Sequence, residues 1–259
     1  MRIVVLLKQV PDTWEERRLD LATGLLDRNA NERVVDDVGE RALEVALRYK
    51  DGDRSSEVIV LSMGPSPVID VLRKGLSMGA DSAVCITDPA LAGADAVMTA
   101  TTLAAALKHT GFDLVVAGSE STDGRGGVIP AMLADHLCLP HATFLDSAVI
   151  TATGVSGDRG VESGVLKVSA PLPAVISVTE RSDEPRFANF KGIMSAKKKP
   201  LAQLSLADLG IDPSNITTRA CSVIVSTAER PVREAGKKVI DSGHAGDELA
   251  EFLISARLV

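Results

Sequence analysis

The run Ser119-Glu-Ser-Thr-Asp-Gly-Arg-Gly-Gly127 is the stretch whose residue types and spacing best suit ligand chemistry. An apolar segment, Leu114 to Ala117, leads into it, and Val128, Leu133 and Leu137 follow at helical spacing. A strand–turn–helix of this kind gathers unpaired backbone N–H groups at one point. The dipole of the helix makes that point attractive to a phosphate. Gly124, Gly126 and Gly127 would let the backbone approach an anion with no side chain in the way. An ordinary turn between strand and helix would also be glycine-rich, and the loop alone does not separate the two readings. Asp123 could take a ribose hydroxyl or hold the loop through an Asx-turn. Arg125 could meet phosphate or stand as a solvated charge.

Little else in the chain suggests catalysis. There is no Walker A sequence, no Gly-x-Gly-x-x-Gly after a strand and no Gly-x-Ser-x-Gly elbow. Cys85, Cys138 and Cys221 are scattered without a Cys-x-x-Cys pair, and His109, His136, His141 and His244 form no spaced ligand set. Cys85 and Cys138 read as core fillers. No nucleophile–base pair or carboxylate dyad is visible. The chain reads as a binder without a catalytic constellation or a metal.

The elements needed to position the loop are legible. Of 259 residues, 45% are hydrophobic but only 3% aromatic, so the core must be Val, Leu, Ile and Ala, as in a parallel sheet wrapped by helices. One Trp and one Tyr leave little to stack on bases, and a net charge of -7 also argues against nucleic acid. No apolar run approaches membrane-spanning length, and the first residues read as a strand rather than a signal sequence. A soluble, intracellular protein is expected, with no membrane insertion. Strands are expected at 2–7, 57–61, 82–87 and 113–117, and helices at 37–50, 67–77, 93–109 and 125–137. Repeated strand–helix units imply a parallel sheet with right-handed crossovers. The polar span from Pro11 to Asp36 is too long for a simple connection, so a functional loop or small hairpin is expected. Beyond residue 140, strands at 143–150, about 161–169 and 174–179 read as antiparallel additions.

From Asp183 the regular pattern ends. Residues 184–200 hold five basic residues against one acid. A charge run of this kind usually forms a solvated face. A terminal helix near 246–256 places Leu249, Phe252 and Leu253 on one side. It must dock on its own domain or on a partner, and self-docking is the expectation from the sequence alone.

Six stretches in order resemble the beta subunit family of electron transfer flavoproteins. They are Val4-Val-Leu-Leu-Lys-Gln-Val-Pro-Asp12, Leu61-Ser-Met-Gly-Pro65, Leu76-Ser-Met-Gly-Ala-Asp81, Val115-Val-Ala-Gly118 with Asp123-Gly124, Leu172-Pro-Ala-Val175 and Glu184-Pro-Arg-Phe-Ala-Asn-Phe-Lys-Gly-Ile-Met-Ser-Ala-Lys-Lys-Lys199. The resemblance implies a Rossmann-like α/β fold of the adenine-nucleotide-alpha-hydrolase type, with an antiparallel addition and an extended C-terminal arm. It implies a nucleotide-binding domain over 1–183 and an arm over 184–259, the latter with a recognition loop at 184–200 and a partner-docking helix. It further implies a heterodimer with an alpha subunit that holds most of an FAD, a structural AMP in this chain, and no catalysis by this chain itself. Electrons would pass from flavin dehydrogenases such as acyl-CoA dehydrogenases to a membrane quinone oxidoreductase or another acceptor, in the cytoplasm or, in a eukaryote, the mitochondrial matrix. In electron-bifurcating relatives a second FAD replaces the AMP. A stand-alone adenine-nucleotide-binding regulator is a further reading, against which the 184–199 arm speaks.

Carried over by position, the AMP pocket would comprise Leu6, Asp36, Asp37, Val38, Gly39, Met63 and the segment Gly118, Ser119, Glu120, Ser121, Thr122, Asp123, Gly124, Arg125, Gly126, Gly127, Val128 and Ile129. The N–H groups of Gly126 to Ile129 would hold the phosphate. Many members carry polar side chains where this chain has Gly127, Val128 and Ile129. Lys8 to Thr13 and Val38 would approach the flavin. Phe190 would be the apolar anchor for a dehydrogenase, with Lys191, Ile193, Met194, Lys197, Lys198 and Lys199 around it.

Overall fold

A computed structural model describes residues 1–215, 222, 224–233 and 235–259. The chain divides into two compact units, Met1–Val225 and Ser226–Val259.

The first unit opens with β1 (Arg2–Leu6), followed by a short hairpin of β2 (Gln9–Pro11) and β3 (Arg33–Val35). Next come α1 (Asp37–Gly52), β4 (Glu57–Met63), α2 (Val68–Met78), β5 (Ser82–Ile86), α3 (Ala96–Thr110), β6 (Leu114–Gly118) and α4 (Ile129–Leu137). The expected strands and helices of this half are present, the last helix with a later start, and the long span from Pro11 to Asp36 connects and completes the β2–β3 hairpin. Aspartates cap two helices: Asp36 accepts from the Val38 N–H and Asp95 from the Met98 N–H.

The rest of the unit contains β7 (His141–Leu145), β8 (Ser147–Ile150), β9 (Gly154–Val161), β10 (Gly164–Pro171), β11 (Ala174–Val178), α5 (Phe190–Ala196) and β12 (Leu201–Leu204). Seven strands form one sheet in the order β12-β5-β4-β1-β6-β11-β7, and every pairing is parallel. Strands β8, β9 and β10 form a separate antiparallel sheet.

Three expectations change here. The 143–150 strand is two strands that turn near Asp146, whose N–H bonds to the Asp158 carbonyl rather than continuing the ladder. The 174–179 strand is not an antiparallel addition. It is β11, parallel and inside the main sheet, and all five of its residues are buried, as a strand covered on both faces requires. After Asp183 the chain forms a helix and then a strand that closes the sheet beside β5.

Helices α1 and α2 pack on one face of the sheet, around Leu43, Leu47, Leu72 and Leu76. Helices α3 and α4 pack on the other, around Leu103, Leu107 and Leu133. Each fully buried leucine contributes about 1.5–3 kcal/mol. Helix α2 lies close to the sheet because Gly75 faces it. A Cβ there would stand 2.8 Å from Leu7 Cδ1 and 3.1 Å from Val60 Cγ1. The second unit carries α6 (Ala245–Ser255), where Leu249, Phe252 and Ile254 are exposed. No helix among the described residues is long and apolar enough to cross a membrane.

Gly75→Ala should destabilise the protein by about 1–3 kcal/mol, because branched Val60 in the sheet centre cannot rotate away. Urea unfolding measures this, and an unchanged midpoint would mean that α2 shifts freely.

Candidate functional site

The chain leaves β1 toward β4 and β5 on one side, then returns to β6 on the other. The loops after β1 and β6 therefore part, and a crevice opens beyond the carboxyl ends of these strands. The start of α1 forms one wall. Gly118 lies under Val38 so closely that a Cβ there would meet Val38 Cβ and Cγ1 at 3.2 Å. Gly39 rests on Leu6, whose carbonyl oxygen would lie 3.7 Å from an added Cβ. Half-buried Leu6, Met63 and Ile129 pack against the core beneath α3 and α4. Asp37 at the first turn of α1 is exposed and pairs with Arg41.

Two carboxylates hold the loop after β6. Asp36 Oδ2 accepts from the Thr122 N–H at 2.7 Å and from Thr122 Oγ1 at 3.1 Å. Burial raises the Asp36 pKa, the Thr122 and Val38 bonds partly counter that, and the Asp123 charge adds to the rise. Asp123 has a side chain only 1% exposed, yet it receives two cations, Lys8 Nζ and Arg28 Nη2, each at 2.8 Å. Burial alone would raise its pKa, but Lys8 first, then Ser121 and Arg28, hold it far below the usual carboxylate range. Lys8 Nζ also donates to Ser121 Oγ at 3.1 Å, and the Gly124 N–H donates to Asp123 Oδ1 at 2.6 Å. Asp123 therefore serves the local structure of the loop, and it also ties that loop to the β2–β3 hairpin through Arg28.

The expected helix at 125–137 starts only at Ile129. Arg125 (φ 49°) and Gly127 (φ 63°) are left-handed, which no α-helix accommodates. Pro130 lies in the first turn, where its missing N–H costs nothing. Val128 is thus not on the apolar stripe but precedes the helix, 43% exposed. Among the described residues none accepts from the N–H groups of Gly126, Gly127, Val128 or Ile129. Ser119 is anchored differently, its N–H donating to the Val178 carbonyl. Arg125 forms an ion pair with Glu120 at 3.3 Å and is mostly solvated.

Sequence reasoning missed Lys8 and Arg28 as partners of Asp123, because cations distant in sequence carry no spacing signal. It also missed Phe144, left-handed at φ 57°, whose ring would touch a Cβ on Gly127 at 3.1 Å.

A second group of residues lies on α5 and the residues flanking it. Asn189 caps this helix by accepting from the Gly192 N–H. Phe187 is 97% and Phe190 79% exposed, and Ile193 and Met194 are about half exposed. Lys191, Lys197 and Lys198 are exposed as well. Lys199 is not part of a solvated face. Its ammonium donates to the Leu76 and Ala80 carbonyls at the end of α2, where a helix C-terminus favours a cation. Burial lowers the pKa of that ammonium. Phe187 belongs to the Glu184-Pro-Arg-Phe stretch that carries the resemblance, but it is not among the partner-binding residues expected from the sequence. A cavity of about 660 Å³ lies not at the sheet crevice but between α2 and α5, lined by Arg73, Ser77, Ala188, Ile193 and Lys197.

No group of three or more His, Cys, Asp or Glu suited to a metal occurs among the described residues. Cys85 is buried and its thiol pKa is raised by burial. Cys138 is exposed at the end of α4. Cys221 lies outside the described residues.

Asp123→Asn should destabilise the protein at pH 7 by about 1–3 kcal/mol, the worth of hydrogen bonds to a charged group. The native carboxylate has a depressed pKa, so its contribution is complete above the unfolded value of 3.8 and is lost as pH falls below it. Urea unfolding of both proteins from pH 7 downward should show a constant gap to about pH 4 that narrows below. A gap unaffected by pH would mean the ion pairs do not stabilise the fold.

Comparison with known proteins matches residues 23–209 to the family described as "Electron transfer flavoprotein domain". The chain is 42% identical over 263 residues to "Electron transfer flavoprotein subunit beta" of Mycobacterium tuberculosis, covering 99% of each. It is 43% identical over 265 residues to the protein of the same name from Mycobacterium leprae, again covering 99% of each. It is 33% identical over 256 residues to "Caffeyl-CoA reductase-Etf complex subunit CarD" of Acetobacterium woodii, covering 98% of this chain and 97% of the relative.

Proposed function

The chain belongs to the electron transfer flavoprotein family as a beta-type subunit, and from that premise we propose that it binds AMP in the crevice between β1 and β6 while flanking an FAD held mainly by an alpha subunit. The observation that carries this reading is the set of unengaged N–H groups from Gly126 to Ile129 at the head of α4. The nearby ionic groups are balanced: Lys8 and Arg28 offset Asp123 and Asp36, and Arg125 offsets Glu120. A phosphate would therefore be received by backbone dipoles rather than by net charge. A Cβ on Gly126 would meet nothing nearer than Val128 Cγ2 at 4.0 Å, so the approach to these donors is open.

The residues present fit such a group. Leu6, Met63 and Ile129 offer an apolar base, and the loop from Gly118 to Gly127 with the Asp36–Gly39 turn forms the walls. FAD, when bound, supplies the electron-accepting and electron-donating chemistry. The role of this chain would be to flank the isoalloxazine with the Lys8–Thr13 segment, whose geometry depends on the Lys8–Asp123 pair.

The exposed Phe187, Phe190, Ile193 and Met194, bordered by Lys191, Lys197 and Lys198, would dock on a flavin dehydrogenase of the acyl-CoA dehydrogenase type. Large apolar side chains in solvent beside cations suit an apolar pocket with an acidic rim. Electrons would leave to a quinone oxidoreductase or another acceptor.

Purification with an alpha subunit, followed by denaturation and mass spectrometry, should release one FAD and one AMP per heterodimer. Two FAD and no AMP would assign the crevice to a second flavin, and material without any purine would overturn the assignment. Gly127→Val puts a branched side chain at a left-handed position against Phe144. It should lower AMP retention at least about tenfold, a loss of about 1.4 kcal/mol, with the heterodimer intact. Phe190→Ala should raise the KM for a butyryl-CoA-reduced acyl-CoA dehydrogenase about 10-fold or more, with AMP content unchanged. Loss of heterodimer assembly would instead place Phe190 at the subunit interface.

A further inference from the structure

The docking helix is held in place by contacts at its entry, middle and exit, although Phe187 and Phe190 are largely exposed and Ile193 and Met194 about half exposed. At the entry, Arg186 meets Glu44 of α1 through Nε at 2.7 Å, Nη2 at 2.9 Å and its backbone N–H at 3.1 Å. Glu44 is only 6% exposed, and its carboxylate raises the Arg186 pKa, aided by Asp51 at 2.8 Å. Arg41 also donates to the Ser182 carbonyl, and Arg48 pairs with Asp183. In the middle, Gly192 lies against α2 backbone to backbone, where a Cβ would run into the Ser77 carbonyl oxygen. At the exit, Arg73 Nη1 donates to the Ala196 and Lys199 carbonyls at 2.6 and 3.2 Å, and Lys199 donates back to the end of α2.

A fold gains little by exposing four large apolar side chains. A forked Arg–carboxylate contact and a glycine-mediated approach on the same short segment need another reason. A docking segment that is already ordered gives up less side-chain and backbone freedom on binding, so more of its contact energy appears as affinity. We infer that Glu44, Arg186 and Gly192 are positioning residues that pre-order the Phe187–Met194 face for the dehydrogenase, so that docking strength is set from α1 and α2 rather than by the exposed residues alone. This rests on the docking reading given above.

The test compares Glu44→Gln, Gly192→Ala and Phe190→Ala in the alpha–beta heterodimer, with a butyryl-CoA-reduced acyl-CoA dehydrogenase as donor. Glu44→Gln and Gly192→Ala should each raise KM about tenfold with kcat, FAD and purine content unchanged. Both should speed amide hydrogen exchange across residues 186–198, whereas Phe190→Ala should raise KM without changing exchange. Faster exchange with an unchanged KM would overturn the inference, and so would failure of both clamp variants to assemble, since the contacts would then serve the fold. If only Glu44→Gln fails to assemble, Gly192→Ala decides, because it leaves the Glu44–Arg186 contact in place. An unchanged KM for Phe190→Ala would sink the docking reading itself, whatever the clamp variants do.

Discussion

Everything at the crevice depends on keeping a glycine-rich loop open without letting it collapse. Backbone donors that face solvent gain nothing from the fold, so the loop needs other attachments. Two buried carboxylates provide them. Asp36 fastens the Thr122 end to the first turn of α1, and Asp123 gathers Lys8 and Arg28. Each carboxylate would be costly if left unpaired, and the loop conformation is the one in which both are satisfied. Left-handed Arg125 and Gly127 then turn the following N–H groups outward ahead of Pro130.

The same arrangement joins parts distant in sequence. Arg28 lies within the β2–β3 hairpin and Lys8 just beyond β1, while Asp123 lies beyond β6. One side chain therefore sets the spacing between the glycine-rich loop and the segment proposed to flank the flavin. This agrees with the broader character of the fold, in which a rigid parallel sheet supplies fixed strand ends and short polar contacts set the loops.

Much of this was legible in the sequence. Buried strands such as Ile3–Leu6 and Leu114–Ala117 announce themselves as apolar runs, and α1 and α2 by the spacing of their apolar residues. The strand–turn–helix at 114–137 was visible, but not the late start of α4, because left-handed backbone at a non-glycine such as Arg125 leaves no compositional trace. Strand β12 was missed because Leu-Ala-Gln-Leu is short and only half buried at a sheet edge. Helix α5 was missed because its apolar residues face solvent and its stability comes from α2 and from the Asn189 cap. Lys199 looked like its two neighbours, and only the nearby end of α2 distinguishes it.

Strand β12 pairs with β5, yet more than a hundred residues separate them in the chain. On a ribosome, β5 emerges with an open hydrogen-bonding flank and keeps it until the polypeptide has grown past Leu204. For that interval the nascent sheet presents a free seam to any extended peptide nearby. Closing it also lays the segment with the exposed phenylalanines against α1 and α2, so the C-terminal edge strand and the proposed docking face are completed by one stretch of chain.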